Sequence, residues 1–265
     1  RGQMILWTDV DLYSMQFTGP PFTFAFQQLG EASGTISKNS PAMIEGGAFW
    51  MGVNNFYAYD GSVKTLKCPV LNRVFDSFNQ VQREKVFSAE IIEFNEIWWF
   101  YPSGTSTEVD KYVIYNYVDN LWSVGSLDRT AWHDTGIFTY PMGSDSNGTV
   151  FNQENGVNDV TSAITASVET GFFSGDENGD NIIFINKVIP DTSFSTGNTI
   201  KFQLKSKRYP NDSEITKGPY SITSSTNKLN FRTRGRSFQC KWYTDETDVT
   251  WRLGTWRAQG QADGT

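Results

Sequence analysis

Apolar side chains along this chain fall in short, aromatic-rich runs separated by polar turns, and most runs alternate with the period of two expected for half-buried strands. Met4-Ile5-Leu6-Trp7 is followed by a Thr-Asp-Val-Asp turn and by Leu12-Tyr13-Ser14-Met15. Trp50-Met51-Gly52-Val53-Asn54 leads into Phe56-Tyr57-Ala58-Tyr59 and the turn Asp60-Gly61. Trp98-Trp99-Phe100-Tyr101 precedes a Pro-Ser-Gly turn and the run from Tyr112 to Tyr117, while Thr149-Val150-Phe151-Asn152 follows the turn Asn147-Gly148. Each unit reads as strand, turn, aromatic strand. Matched aromatics recur 43 residues apart from Trp7 to Trp50, 49 from Trp50 to Trp99 and 52 from Trp99 to Phe151. A hairpin-bearing unit every roughly 40–50 residues predicts propeller blades, of which a closed ring takes about 4–8. Only about four fit here. Residues 1–165 are therefore expected to form part of a β-propeller.

The pattern changes after residue 165. Thr165 to Thr170 alternates cleanly, and Ile182 to Ile189 is a near-continuous apolar run closed by Pro190. Its length and β-branched content favour a buried strand over a helix. Runs beginning at Ile200, Tyr220, Lys228, Ser237 and Thr250 follow at short intervals. Residues 166–265 are expected to form a C-terminal β-sandwich, a fold of about 100 residues. The fold class expected for the whole chain is all-β.

Composition sharpens this picture. Aromatics make up 15% of the 265 residues, and Tyr, Phe and Trp suit pleated, half-buried surfaces. The two cysteines, Cys68 and Cys240, lie too far apart and too few to build a disulfide framework or a zinc site, so two packed free thiols are expected. No apolar run approaches the roughly 18 residues that cross a bilayer, and no signal peptide is visible; membrane insertion is not expected. The chain opens at Arg1 and is strand-like within a few residues, which predicts a piece of a longer polypeptide. The net charge of −7 is unevenly spread: residues 201–257 hold 12 Lys+Arg against 5 Asp+Glu, a net of +7, which leaves −14 for the remainder. Such asymmetry marks either a surface that meets another charged surface or an ordinary solvated strand face.

Candidate chemistry is sparse. The single histidine, His133, has no G-x-S-x-G elbow to serve, and the nucleotide-binding and zinc-hydrolase motifs are missing. Asp176-Glu177-Asn178-Gly179-Asp180 offers oxygen ligands at alternate positions, yet Asn181 and Lys187 stand where an EF-hand-type loop needs Gly and Glu; a polar hairpin turn accounts for it. No catalytic, cofactor or metal residue is assigned. The densest charge is Arg232-Thr233-Arg234-Gly235-Arg236. In an extended segment Arg232, Arg234 and Arg236 share one face, fit to grip phosphates or a partner's carboxylates. They are the candidate contact to a neighbouring subunit or partner.

Several segments resemble tailed-bacteriophage structural proteins, the nozzle or hub proteins of short-tailed phages. They are Lys187-Val188-Ile189-Pro190-Asp191, Lys207-Arg208-Tyr209-Pro210, Lys217-Gly218-Pro219-Tyr220-Ser221-Ile222-Thr223, Arg232-Thr233-Arg234-Gly235-Arg236 and Trp251-Arg252-Leu253-Gly254-Thr255-Trp256-Arg257, in that order. Phe22-Thr23-Phe24, Phe49-Trp50-Met51-Gly52 and the stretch from Tyr112 to Ser123 look like the blades of the same family. The resemblance implies a non-enzymatic virion protein, a subunit of a homo-oligomeric ring, often a hexamer, below the portal. It would contact other tail, adaptor or portal proteins and pass double-stranded DNA without reading its sequence. An acidic lumen would let DNA slide, with the basic C-terminal residues turned towards neighbouring subunits. Two other functions are carried alongside. One is a carbohydrate- or host-receptor-binding propeller module, which would want Trp98, Trp99 and Tyr101 exposed on a concave face. The other is a propeller enzyme, which would want two carboxylates converging in a pocket.

Overall fold

The computed structural model describes residues 4–195 and 197–264. The chain is all-β, built from small antiparallel sheets. It divides into two compact units, Arg1–Asn155 and Gly156–Thr265.

The first unit is a succession of four meander sheets, each made of strands consecutive in sequence. Blade 1 is β1 (Met4–Trp7), β2 (Leu12–Phe17) and β3 (Phe24–Gly30). Blade 2 is β4 (Ala42–Ile44), β5 (Gly47–Met51), β6 (Phe56–Tyr59) and β7 (Val63–Thr65). A short helix α1 (Leu71–Phe75) and a 3₁₀ turn over Gln80–Lys85 lead to blade 3: β8 (Phe87–Ile91), β9 (Glu96–Tyr101), β10 (Lys111–Asn116) and β11 (Leu121–Ser126). Blade 4 is β12 (Ala131–His133), β13 (Met142–Ser144) and β14 (Val150–Asn152).

The blades stack face to face in chain order. Leu12, Ile5 and Trp7 of blade 1 meet Trp50 and Tyr57 of blade 2. Met51 and Phe56 of blade 2 meet Trp99, Val113 and Tyr115 of blade 3, with Val74 and Phe78 of the connecting segment filling in. Trp98, Phe100 and Ile114 on the far side of blade 3 meet Trp132 of blade 4. In the central strands of blades 2 and 3 alternate residues serve opposite seams, which is why β9 is buried along nearly its whole length. Ring contacts run through these seams: Phe56 lies 5.0 Å from Trp99, and Trp98 stacks on Trp132 at 5.7 Å. Two of the buried indoles are also anchored. Trp50 Nε1 donates to Ser33 O at 2.8 Å and Trp99 Nε1 to Ser40 O at 3.0 Å, so both tie a second strand to the segment entering blade 2.

The aromatic repeat is only partly in phase with the blades. Trp50 and Trp99 both sit on second strands, and their spacing is a true blade-to-blade step. Trp7 lies on a first strand, edge-on to Trp50 at 5.9 Å, and Phe151 on a third. The second strand of blade 4 turns Gly143 inwards instead. A Cβ there would fall 2.8 Å from Arg129 Cδ and 3.2 Å from the Trp132 ring, and the Arg129 guanidinium lies 4.3 Å over Phe151.

The second unit begins with a hairpin, β15 (Asn158–Asp159) and β16 (Ser162–Ala163). Asn158 exchanges two hydrogen bonds of 2.8 Å with Asp248, which binds this hairpin to the unit upstream of the pattern change at residue 165. The strands that follow are β17 (Ala166–Glu169), β18 (Phe173–Ser174), β19 (Ile183–Ile189), β20 (Thr192–Phe194), β21 (Ile200–Lys207), β22 (Ile215–Ile222), β23 (Leu229–Gly235), β24 (Ser237–Thr244), β25 (Trp251–Leu253) and β26 (Arg257–Ala262). One sheet has the order β17-β24-β21-β22, with β18 also on β24; another has the order β23-β19-β26. Alternate residues of β21, β23 and β24 are buried, as a strand with one core-facing side requires. They bring Phe202, Leu204, Phe231, Phe238 and Trp242 into one core between the two sheets, the layout of a β-sandwich. Cys240 is packed in that core and Cys68 against the seam of blades 2 and 3; both are free thiols, and burial pushes them up to about 12 and about 11.

Trp99→Ala empties the middle of the blade 2–blade 3 seam and is expected to destabilise the chain by about 3–5 kcal/mol in denaturant titrations. Arg232→Ala, on an exposed strand face, is expected to change stability by less than about 0.5 kcal/mol.

Candidate functional site

Three surfaces stand out. The first is a cleft of about 1270 Å³ in the propeller-like unit. First strands supply much of its wall: Phe87 to Glu90 of β8, Ala131 to His133 of β12, and Asn39 and Pro41 just before β4. Ser88 fixes blade 3 to blade 2 here, its N–H donating to Asn39 O at 2.9 Å and its hydroxyl to Pro41 O at 3.2 Å. The lining carries the carboxylates Glu84, Glu90, Glu93, Glu108 and Asp134 against the cations Lys38 and Lys85. Lys85 is committed to Glu108 and to Thr107 O at 2.6 Å. The wall is therefore acidic. Desolvation holds the Glu90 carboxyl above its ordinary range, opposed by the Met43 N–H and reinforced by Asp134. His133 is exposed on the rim, edge-on to Phe138 at 5.7 Å; among the described residues no hydroxyl or thiol hydrogen-bonds to it.

The second surface is the outer face of blade 1. Antiparallel register pairs Met4 with Met15, Met15 with Phe26 and Phe17 with Phe24, and directly paired residues share a face. The opposite face holds Ile5, Trp7 and Leu12, which pack on Trp50. Phe17, Phe24 and Phe26 on the outer face are 71%, 48% and 62% exposed, and Phe22 in the hairpin turn is 77% exposed. Sequence reasoning placed Phe22 and Phe24 in a blade but missed this surface. The available signal was Phe at alternate positions 22, 24 and 26, which marks one strand face without saying whether it is covered.

The third surface is the arginine segment. Arg232 and Arg234 project from the exposed side of β23, as alternation requires. Arg236 does not join them, because β23 ends at Gly235 and the chain bends into β24. Arg236 instead donates through Nε to Asp180 O at 3.2 Å and lies 4.8 Å over the Tyr209 ring. Arg234 pairs with Asp263 and lies 5.5 Å over Phe184. Arg232 makes no ion pair among the described residues.

Two other sequence candidates resolve into structural roles. Trp98, Trp99 and Tyr101 are buried in the blade seams, which removes them as exposed platforms for sugar stacking. Asp176 closes its own turn, accepting from Gly179 N at 2.7 Å and Asn181 Nδ2 at 2.8 Å; among the described residues no cluster of three metal-ligating side chains occurs.

The raised Glu90 has a consequence for pH dependence. A carboxyl that binds its proton more tightly in the folded chain favours folding below its unfolded value near 4.3, and that advantage is lost as pH rises through the folded value. Glu90→Gln is therefore expected to melt higher than the parent at pH 7, with the gap closing as pH falls below about 4. Thermal melts across that range measure it.

No family model and no curated protein matches the chain. Among solved structures it is similar to one described as a glycoside hydrolase, at 9% identity over 97% of this chain and 81% of that one, with a TM-score of 0.28. It is also similar to an exo-β-1,3-galactanase from Phanerochaete chrysosporium with β-1,3-galactotriose, at 6% identity over 94% of this chain and 75% of that one, with a TM-score of 0.26. Likeness at this level carries no chemistry across to this chain.

Proposed function

We propose that this chain is a non-enzymatic structural subunit that assembles with copies of itself, and that its assembly is the nozzle or hub ring of a phage tail through which DNA leaves. The observation that carries the proposal is the uncovered apolar face of blade 1. Exposed apolar surface of this kind marks an interaction site. Inside this chain three successive seams are made by one blade's apolar face meeting the next blade's, so the fitting occupant is another blade. We assign that role to a second copy, whose blade 4 and its β12–β13 connection carry exposed Ile137, Tyr140 and Val150. A head-to-tail contact between different faces of identical subunits closes into a ring when the rotation permits.

The acidic cleft supports the channel role. The carboxylates that line this cleft would repel phosphates and leave passing DNA without adhesive contacts. The tail assignment itself rests on the sequence segments that resemble nozzle and hub proteins.

The purified chain is expected to elute as a homo-oligomer by light scattering and to show rings with an open bore by electron microscopy. Phe24→Glu with Phe26→Glu is expected to yield monomers with an unchanged circular dichroism spectrum, since both side chains are exposed. A parent chain that stays monomeric at the highest soluble concentration would overturn the proposal.

A further inference from the structure

The two sheets of the sandwich each present an edge strand on the side joined by the 223–228 connection, β22 in one sheet and β23 in the other. Between these edges lies a pocket of about 380 Å³ lined by Phe184, Arg208, Ile215, Lys217, Arg232, Thr233 and Arg234. Four of its seven lining residues are cations, and none is a carboxylate.

Two acidic groups of this unit close to the pocket in sequence or by pairing are already engaged. Glu214, next to Ile215 in the chain, is held by Lys205 at 3.2 Å and Lys207 at 3.5 Å. Asp263 is taken by Arg234. Among the described residues Arg208, Lys217 and Arg232 make no ion pair, so three positive charges face one small space uncompensated. Strand geometry enforces the crowding. Arg232 and Arg234 are two residues apart on one face of β23, which sets their backbones roughly 7 Å apart. Lys217 and Ile215 pair with Leu204 and Ser206, whose side chains point into the sandwich, so both lie on the inward side of the edge strand β22. Like charges gathered this closely repel one another, and an anion seated among them relieves the repulsion.

We propose that this pocket binds a phosphate group. A single carboxylate brings one negative charge and is satisfied by one bidentate arginine. Three uncompensated cations match a phosphate better, since a phosphate ester carries about −1.5 to −2 charge and three acceptor oxygens. Guanidinium groups suit that acceptor geometry. Phe184 and Ile215 give the pocket an apolar wall beside the charges, fit for the organic part of a phosphate ester. A second cavity of about 480 Å³ shares Phe184 and Arg232 and adds Asn186 and Asn230, which extends the same surface. The site lies wholly in the second unit, and its test is independent of the oligomeric state.

The test is calorimetric titration of the full chain at low salt with three probes: inorganic phosphate, a short DNA duplex and a tetraglutamate peptide. Binding of phosphate, or of the duplex, in preference to tetraglutamate is expected. Binding of phosphate alone identifies a small phosphate ligand, and binding of the duplex identifies the phosphodiester backbone as the source. Arg232→Gln and Lys217→Gln are each expected to weaken binding by about tenfold, as loss of a charge-assisted contact does. For the duplex, each is also expected to lower the slope of log affinity against log salt by about one. The thermal melts of both variants should match the parent, since neither side chain has a structural partner. The proposal is overturned if neither phosphate nor duplex binds, if tetraglutamate binds as tightly, or if the double variant binds as well as the parent.

Discussion

A small meander sheet with apolar side chains on both faces cannot stand alone in water; each face has to be covered by something of matching shape. That requirement organises the first unit. In β9, Trp99 serves the seam with blade 2 while Trp98 and Phe100 serve the seam with blade 4, so one strand glues two neighbours. Aromatic rings suit the task because one side chain buries about 150–250 Å² and tilted or stacked contacts tolerate the twist between sheets. Anchoring the indole N–H groups of Trp50 and Trp99 on backbone carbonyls removes the penalty of burying them. Stacking by faces also sets where polar groups can go. First strands gather at the cleft, and the hydrophilic residues of β8 and β12 with their flanks collect there. The outer face of blade 1, which carries Phe17, Phe24 and Phe26, is apolar and exposed.

Charge follows the same division. Residues 1–155 hold 9 Lys+Arg and 17 Asp+Glu, whereas residues 156–265 hold 13 and 12. The acidic excess is concentrated in the unit whose cleft is lined by Glu84, Glu90, Glu93 and Asp134. The second unit is nearly balanced as a whole, so its basic pocket is a local feature: Glu169, Glu214, Asp245 and Asp263 pair with Lys201, Lys205, Lys207, Lys241 and Arg234, whereas Arg208, Lys217 and Arg232 line the pocket with no ion pair among the described residues. Acid wall and basic pocket would act oppositely on a polyanion, one repelling it and the other holding it.

Much of the fold was legible in the sequence because strand periodicity is a local property. The runs at Trp98, Tyr112, Ile182, Ile200 and Ser237 all fall in strands. Blade phase was less legible. Aromatics occur on first, second and third strands, so counting from Trp7 to Trp50 and on to Phe151 mixes strands that are not equivalent. The helix α1 and the 3₁₀ turn after it were invisible because both are short and lack a helical repeat of their own: α1 buries Val74 alone, and the turn is capped by the Asn79 side chain and buries no residue. At the arginine segment, alternation correctly joined Arg232 to Arg234 and failed at Arg236, where a bend after Gly235 breaks the period.

By itself, the sequence determined the all-β class, the change of pattern near residue 165 and the concentration of positive charge in the last third, since all three depend on residue type and short-range spacing. Tertiary structure alone decided which aromatic faces are covered, which carboxylates line a common wall and which cations are left without a partner. Those properties depend on segments far apart in the chain: Lys217 and Arg232 meet only because two edge strands from different sheets lie side by side, and no local pattern encodes that meeting.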